Sequence, residues 1–412
     1  MEDYTYLNYW EKGEPTMFTR TCNVTHTNDC EDVFSVKQAL LLSLVTVLFA
    51  LALPLSATVT PFNDFIFWII CLVFGILVLL TSKRFSSIII LALTLTFFAS
   101  YTGSAASVAL TVGTVSACGV YSALIAQARK WQIVLPVLIP AVSFASAFAL
   151  TGDVILAASA LTVFLPSLAM GLNSRRGGDR VGSIACLAAV AAAEVGAVAL
   201  ALIYLQNGYL SFEAIGEAAD YFRSVIEEFC TLAIETAGEA ALTDDVALMV
   251  ADMAAEMTNL LIGLTGISVI TAGYFAQKIQ HALFERFELE KLQNQSGAPI
   301  KASVMAAIVY AVAYICSVTT GASSAPSFIA AVAANISLIL LPLLLCVGFG
   351  FMTSLPKKIG FLALVAWLGA FALTYWLASS LMDIIALVGA FYTLLVNINL
   401  WAEEHYSKGG EQ

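Results

Sequence analysis

Charge is scarce in this sequence. Asp, Glu, Lys and Arg make up 11% of its 412 residues, against about 25% in soluble proteins. That shortage excludes a soluble enzyme or a string of soluble domains. Bases are the rarer sign, 18 against 29 acids, for a net charge of -11. No basic patch of the kind that neutralises phosphates is present, which excludes nucleic acid as a partner. Histidine is rarer still. His26, His281 and His405 lie far apart and outside the apolar runs, so no metal centre is expected. The Walker A sequence, H-E-x-x-H and G-x-S-x-G are all absent. No cofactor and no enzymatic activity is expected. Catalysis inside a membrane calls for clustered His, Asp, Glu or Ser at one depth, and the apolar runs offer one mid-span carboxylate.

Cysteine is present without forming a framework. Cys71, Cys118, Cys186, Cys316 and Cys346 fall in apolar runs, where cysteine behaves as a small hydrophobe. Cys22 and Cys30 would pair only in an oxidising compartment.

What the sequence has is apolar residues, 60% of the chain. About 20 of them in a row span a bilayer core as a helix. The runs predict an all-α fold, a polytopic transmembrane helix bundle of about 12 spans. These lie at roughly 38–58, 63–82, 85–101, 103–127, 131–150, 153–172, 181–205, 258–277, 302–319, 326–352, 358–378 and 381–400. The organisation is an acidic tail over 1–37, spans over 38–205, an external acidic segment over 206–257, spans over 258–402 and a tail over 403–412. The first span begins near residue 38 without a basic leader, so it reads as a span and not as a cleaved signal.

Basic clusters at Lys83-Arg84, Arg129-Lys130, Arg175-Arg176-Arg180, Lys278 to Lys301 and Lys357-Lys358 each follow an even-numbered span. Basic loops are cytoplasmic. Both termini are therefore expected inside, in a multi-pass cell-membrane protein, and the sequon Asn23-Val24-Thr25 should be silent. The 358–400 hairpin is the least supported, with only Lys408 at its far end.

Residues 206–256 hold eleven acids and one base, Arg223. Phe212, Ile215, Ala219, Phe222, Ile226, Phe229 and Ala233 recur at helical spacing opposite an acidic face that includes Glu213, Glu217, Asp220 and Glu227, with Glu228 alongside. A second helix is predicted over 244–257, capped by Thr243. Val246, Met249, Val250, Met253 and Met257 are its apolar positions. The plain reading lays both helices on the outer bundle face, apolar side down. The sharper one makes them a lid over an external cavity, or a docking face for a basic partner.

Glu194 is the ionisable residue placed near the middle of a span. A carboxylate there should be protonated or paired. It reads either as a structural hydrogen bond between helices or as a group coupling protons or substrate. Its run is rich in small residues, from Ala185 to Ala199, which lets helices approach closely. Asp64, Asp153 and Asp383 read as helix caps or interfacial groups at outer span ends. Asn335 and Asn397 read as ties between helices, and Gly263 and Gly266 as a close helix contact. Pro54, Pro136, Pro140, Pro166 and Pro342 should kink or break helices. Gly178-Asp179-Arg180-Val181-Gly182 resembles the D-R-x-G loop of major facilitator transporters in spelling, but it follows the sixth span and lacks the basic residues expected next.

Several pieces from about residue 130 onward occur in the order of a known family. Phe164-Leu165-Pro166-Ser167-Leu168-Ala169-Met170-Gly171 runs into Arg175-Arg176 and a small-residue span. Ile226-Glu227-Glu228 sits in the external acidic helix. Tyr274-Phe275-Ala276-Gln277-Lys278 ends a span before a basic loop, and Asn335-Ile336-Ser337-Leu338 leads to Lys357-Lys358. This order resembles the YybS-like family of predicted membrane proteins of Firmicutes, over about 270 residues. Residues 1–80 fall outside the likeness. The early spans are distantly similar to substrate-binding components of energy-coupling-factor importers. That similarity implies a small-molecule site among the helices and a transport role. The alternative is a membrane scaffold that recruits envelope partners. Expected partners are the lipid bilayer, a small molecule and a membrane or envelope protein.

Overall fold

The structure is a computed structural model that describes residues 34–56, 58, 69–70, 73, 105–127, 134–236, 244–287, 302–321, 328–354 and 381–409. These residues are all-helical, with no strand among them. The helices are α1 (Val36–Ala50), α2 (Ala52–Ser56), α3 (Ala105–Gln127), α4 (Val134–Thr151), α5 (Val154–Ser159), α6 (Phe164–Arg175) and α7 (Arg180–Asn207). They continue with α8 (Phe212–Thr236), α9 (Asp244–Asn259), α10 (Leu261–Arg286), α11 (Val304–Gly321), α12 (Phe328–Ser354) and α13 (Leu381–Gly409).

Helices stand at the first, fourth to tenth and twelfth expected spans. The expected spans 85–101 and 358–378, the span 63–82 apart from residues 69, 70 and 73, the tail before Phe34 and the cap at Thr243 lie outside the described residues. Five segments are long and apolar enough to cross a membrane: Val36–Leu55, Val134–Thr151, Val154–Arg175, Arg180–Asn207 and Phe328–Gly348. A sixth is the pair Val246–Asn259 and Leu261–Arg286, bent by 62° at Leu260. Among the described residues the span count is thus five to six, below the twelve expected of the whole chain. Val112–Gln127, Val304–Thr319 and Met382–Ile398 are shorter apolar helices.

Proline acts by position. Pro166 lies in the first turn of α6, where its missing N–H is not needed, and the chain before it leaves the helix through a turn over residues 160–163. Pro54 sits the same way in α2, just past the break at Leu51. Pro140 and Pro342 do not break their helices, since α4 and α12 run through them. Asp153 caps α5 as expected, accepting from the Ile155 and Leu156 amides.

Helix α3 is the hub and packs on α1, α6 and α10. Glycine permits this. A Cβ at Gly119 would meet the Ala276 carbonyl oxygen at 2.8 Å, and one at Gly171 would meet the Ser122 carbonyl oxygen at 2.8 Å. Cross-links fix a common end. The Phe34 ring meets Phe287 edge-on at 5.4 Å, and the Tyr121 hydroxyl donates to the Pro136 carbonyl at 2.6 Å. So α1, α4 and α7 begin, and α3, α6 and α10 finish, at one end. Arg175, Arg176, Arg180, Lys278 and Arg286 stand there, which makes it the basic end.

The small-residue run of α7 is packed within this chain only at its start. Ser183, Ile184, Leu187 and Ala188 are buried, but Ala192, Ala193, Gly196, Ala197 and Ala199 are exposed, and a Cβ at Gly196 would meet nothing. Only the first two turns or so of α7 lie against α6 and α10. The close approaches are made by isolated glycines on other helices.

Candidate solute site at the basic end

The site starts from a tight corner. Helix α6 ends at Arg175, and Gly177 takes a left-handed φ of 77°. The Gly178 amide returns to the Asn173 carbonyl at 2.9 Å, closing the helix end as glycine-rich caps do. Asp179 then caps α7 by accepting from the Gly182 amide at 3.0 Å. Four residues therefore turn the chain. Asn173 and Ser174 of α6 are set beside Arg180 and Ser183 of α7.

Facing this corner is α10. Its buried positions are Gly263, Gly273, Ala276, Gln277, Gln280, Leu283 and Phe284. From Gly273 onward they form one helical stripe, and in its middle the stripe changes from apolar to amide. Gln277 is 2% exposed and Gln280 1%. The Arg180 Nε donates to Gln277 Oε1 at 2.9 Å. The Ser174 hydroxyl donates to Gln280 Oε1 at 3.2 Å and lies 3.4 Å from the Ser183 hydroxyl. Asn173 Nδ2 donates to Ser183 Oγ at 2.9 Å. The Arg180 guanidinium lies 5.3 Å from the Tyr274 ring centroid, and the Lys278 ammonium 5.7 Å.

Two buried atoms in this network have no hydrogen-bond partner, Arg180 Nη2 and Gln280 Nε2. Both are donors. Leaving a buried donor unmade costs about 1–3 kcal/mol, more for a charged group, so two in one network call for an explanation.

The carboxylates nearby are used elsewhere. Asp179 Oδ1 holds its cap, and Glu285 Oε1 is 3.2 Å from His281 Nε2.

Glu194 is not part of this site. It continues the inward face of Ser183, Leu187 and Val190 at helical spacing and is half-buried. It stands fourteen residues beyond Arg180, about 21 Å along the helix. The acids expected to form an external face are farther still, beyond the left-handed cap at Gly208. Glu213, Glu217, Asp220 and Glu228 are exposed, whereas Glu227 pairs with Arg223 at 3.1 Å. Helices α8 and α9 pack on each other through Ala214, Val250 and Ala254, and Arg223 Nη2 reaches the Ala251 carbonyl at 3.5 Å. Their apolar stripes are only partly covered. Phe222 and Ile226 are half-buried, but Phe212 is 95% exposed and Met249 61%.

The sequence reading did not single out Gln277 and Gln280 as site residues. The available signal was two amides three residues apart on the apolar stripe of one helix. The expected tie at Asn335 is present, because its side chain accepts from the Gly263 amide and donates to the Asn259 carbonyl. Asn397 bonds within its own helix, to the Thr393 carbonyl.

No family model, curated protein or solved structure matches the chain. The class defined by the fold is a helical protein with several membrane-capable spans.

Proposed function

We propose that this chain is a multi-pass membrane protein of about twelve spans, with both termini cytoplasmic, that binds a small solute among its helices and takes part in its transport. The observation that carries this reading is the pair of buried donors without partners, Arg180 Nη2 and Gln280 Nε2, where α6, α7 and α10 meet. A buried donor that the protein leaves unpaired needs a partner from outside the chain, and a bound solute supplies one. The resemblance to the YybS-like family, and through it to substrate-binding components of importers, points the same way. Glu194 remains the candidate for coupling deeper in the bundle. A scaffold reading has one observation in its favour, the open apolar flanks of the acidic helices α8 and α9.

Gentle purification from native membranes, with mass spectrometry of bound metabolites and proteins, separates the two. A stoichiometric metabolite, or an ATPase pair with a membrane coupling subunit, is the expected result. Envelope proteins without any metabolite would overturn it in favour of the scaffold.

A further inference from the structure

We propose that the solute bound at the basic end is an oxyanion, a carboxylate or phosphate group gripped by Arg180 and Gln280, with Lys278 at the approach. This inference rests on the solute-binding reading above and names its chemical class.

The sign follows from an inventory of donors and acceptors. Arg180 offers only donors. One of them is used on Gln277 Oε1, and the buried Nη2 has no partner. Gln280 uses its single acceptor on Ser174, and its buried amide nitrogen is left. A cation would be repelled by Arg180 and Lys278, and the two unpartnered atoms would turn donors toward it. An uncharged solute would meet the donors without adding the negative charge that the two cations on the Tyr274 face attract. An oxyanion satisfies both free donors and the charge together. Arginine suits it because a planar fork matches two oxygens of a carboxylate or phosphate.

The fold adds to this. Arg180 is the first residue of a 28-residue helix, whose amino end carries partial positive charge. Gln277 and Gln280 are i and i+3 on α10, so their side chains stand about 5–6 Å apart at Cβ on one face. Arg180 docks on the first and Ser174 on the second. Access is from the basic end, where Lys278 is exposed and Arg180 half-exposed. Its position at that end makes two sources of the same chemistry accessible, a free anion and the phosphate of a lipid headgroup.

The test uses the full chain in nanodiscs of zwitterionic lipid. Thermal unfolding is followed against inorganic phosphate, acetate and sulfate at constant ionic strength, with uncharged sugars and ammonium as controls. A parallel series replaces part of the lipid with phosphatidylglycerol. The expected result is a saturable rise in Tm with one anion series and not with the controls. Arg180→Gln and Gln280→Leu should each weaken the apparent affinity by about tenfold or more. Should Arg180→Gln fail to fold, the exposed Lys278→Gln still reports, with a smaller loss of affinity and no loss of parent stability. Response to soluble anions identifies a free solute, and response to phosphatidylglycerol alone identifies a headgroup. Either supports the proposal. Saturable stabilisation by an uncharged solute but by no anion would overturn it and leave the solute-binding reading standing. A Gln280→Leu variant more stable than the parent, with no response to any probe, would show that the free donors meet only water. That result would remove both readings.

Discussion

Alanine at Gly348 or at Gly389 is expected to destabilise the protein more than any other single methyl group added to it. The two glycines face each other where α12 crosses α13. A Cβ built on Gly348 would fall on the Ile385 carbonyl oxygen and meet Ile385 Cγ2 at 2.9 Å. One built on Gly389 would fall on the Leu344 carbonyl oxygen and meet the Gly348 nitrogen at 2.8 Å. In both cases the obstacle is backbone, which cannot swing aside as a side chain end does. The helices must separate, and the packing of Leu344, Val347, Ala386 and Ala390 around the crossing opens with them. Overpacking typically costs 1–3 kcal/mol, and a backbone clash belongs at the top of that range, so about 3 kcal/mol is expected for each. Alanine at Gly196 serves as the control. A Cβ there meets nothing within 4 Å, so the change should be neutral or stabilising by up to about 1 kcal/mol through helix propensity. Reversible unfolding of the three variants in one detergent checks this. Equal stability of Gly389→Ala and Gly196→Ala would show that the crossing is looser than described.

These glycines also show where reading the sequence stops. Among the described residues, helices stand where the apolar runs place them, because a span is a local property: about twenty apolar residues and a break. The same locality made Asp153 legible as a cap and Pro166 as a break. It does not separate a kink from a break at Pro140 and Pro342, where the helices continue, because whether proline interrupts a helix depends on what surrounds the freed carbonyl. Pairing is not local at all. The run from Ala185 to Ala199 is mostly open, while tight approaches fall at Gly263 and Gly266, where the sequence suggests a close contact, and at Gly119, Gly171, Gly348 and Gly389, where it does not. Small-x-x-x-small spacing does occur at Ala386 and Ala390, beside Gly389, but many alanines in this chain share that spacing. The candidate site was hidden for a related reason. Gln277 and Gln280 stand at the end of an apolar run and read as the start of a wet loop. Only the corner of α6 and α7, about a hundred residues earlier, covers them.

Asn335 is the case where a residue read as a tie between helices has a larger role, and its replacement carries the second large effect. Helix α9 ends at Asn259 and α10 begins at Leu261, with a 62° bend between them. Each helix end leaves backbone groups without a partner, and Leu260 provides no side-chain cap. Asn335, from α12, takes both ends. Its Oδ1 accepts from the Gly263 amide in the first turn of α10, and its Nδ2 donates to the Asn259 carbonyl at 2.7 Å and to the Ala331 carbonyl at 2.8 Å. Gly263 makes room, since a Cβ there would meet Asn335 Oδ1 at 2.9 Å. A single interhelical hydrogen bond in a membrane averages only about 0.6 kcal/mol. Here one side chain serves three backbone groups, two of them at helix ends with no other partner. Asn335→Ala is therefore expected to cost about 2 kcal/mol. Asn335→Asp should cost more, because it sets a second carboxylate oxygen against the two carbonyls that Nδ2 now satisfies. Hydrogen exchange distinguishes this from a general loosening of the bundle. The Gly263 amide should lose protection in Asn335→Ala well before amides in the middle of α10, such as Gly273. Unchanged protection at Gly263, or a stability loss below about 0.5 kcal/mol, would mean that the bend holds without this cap.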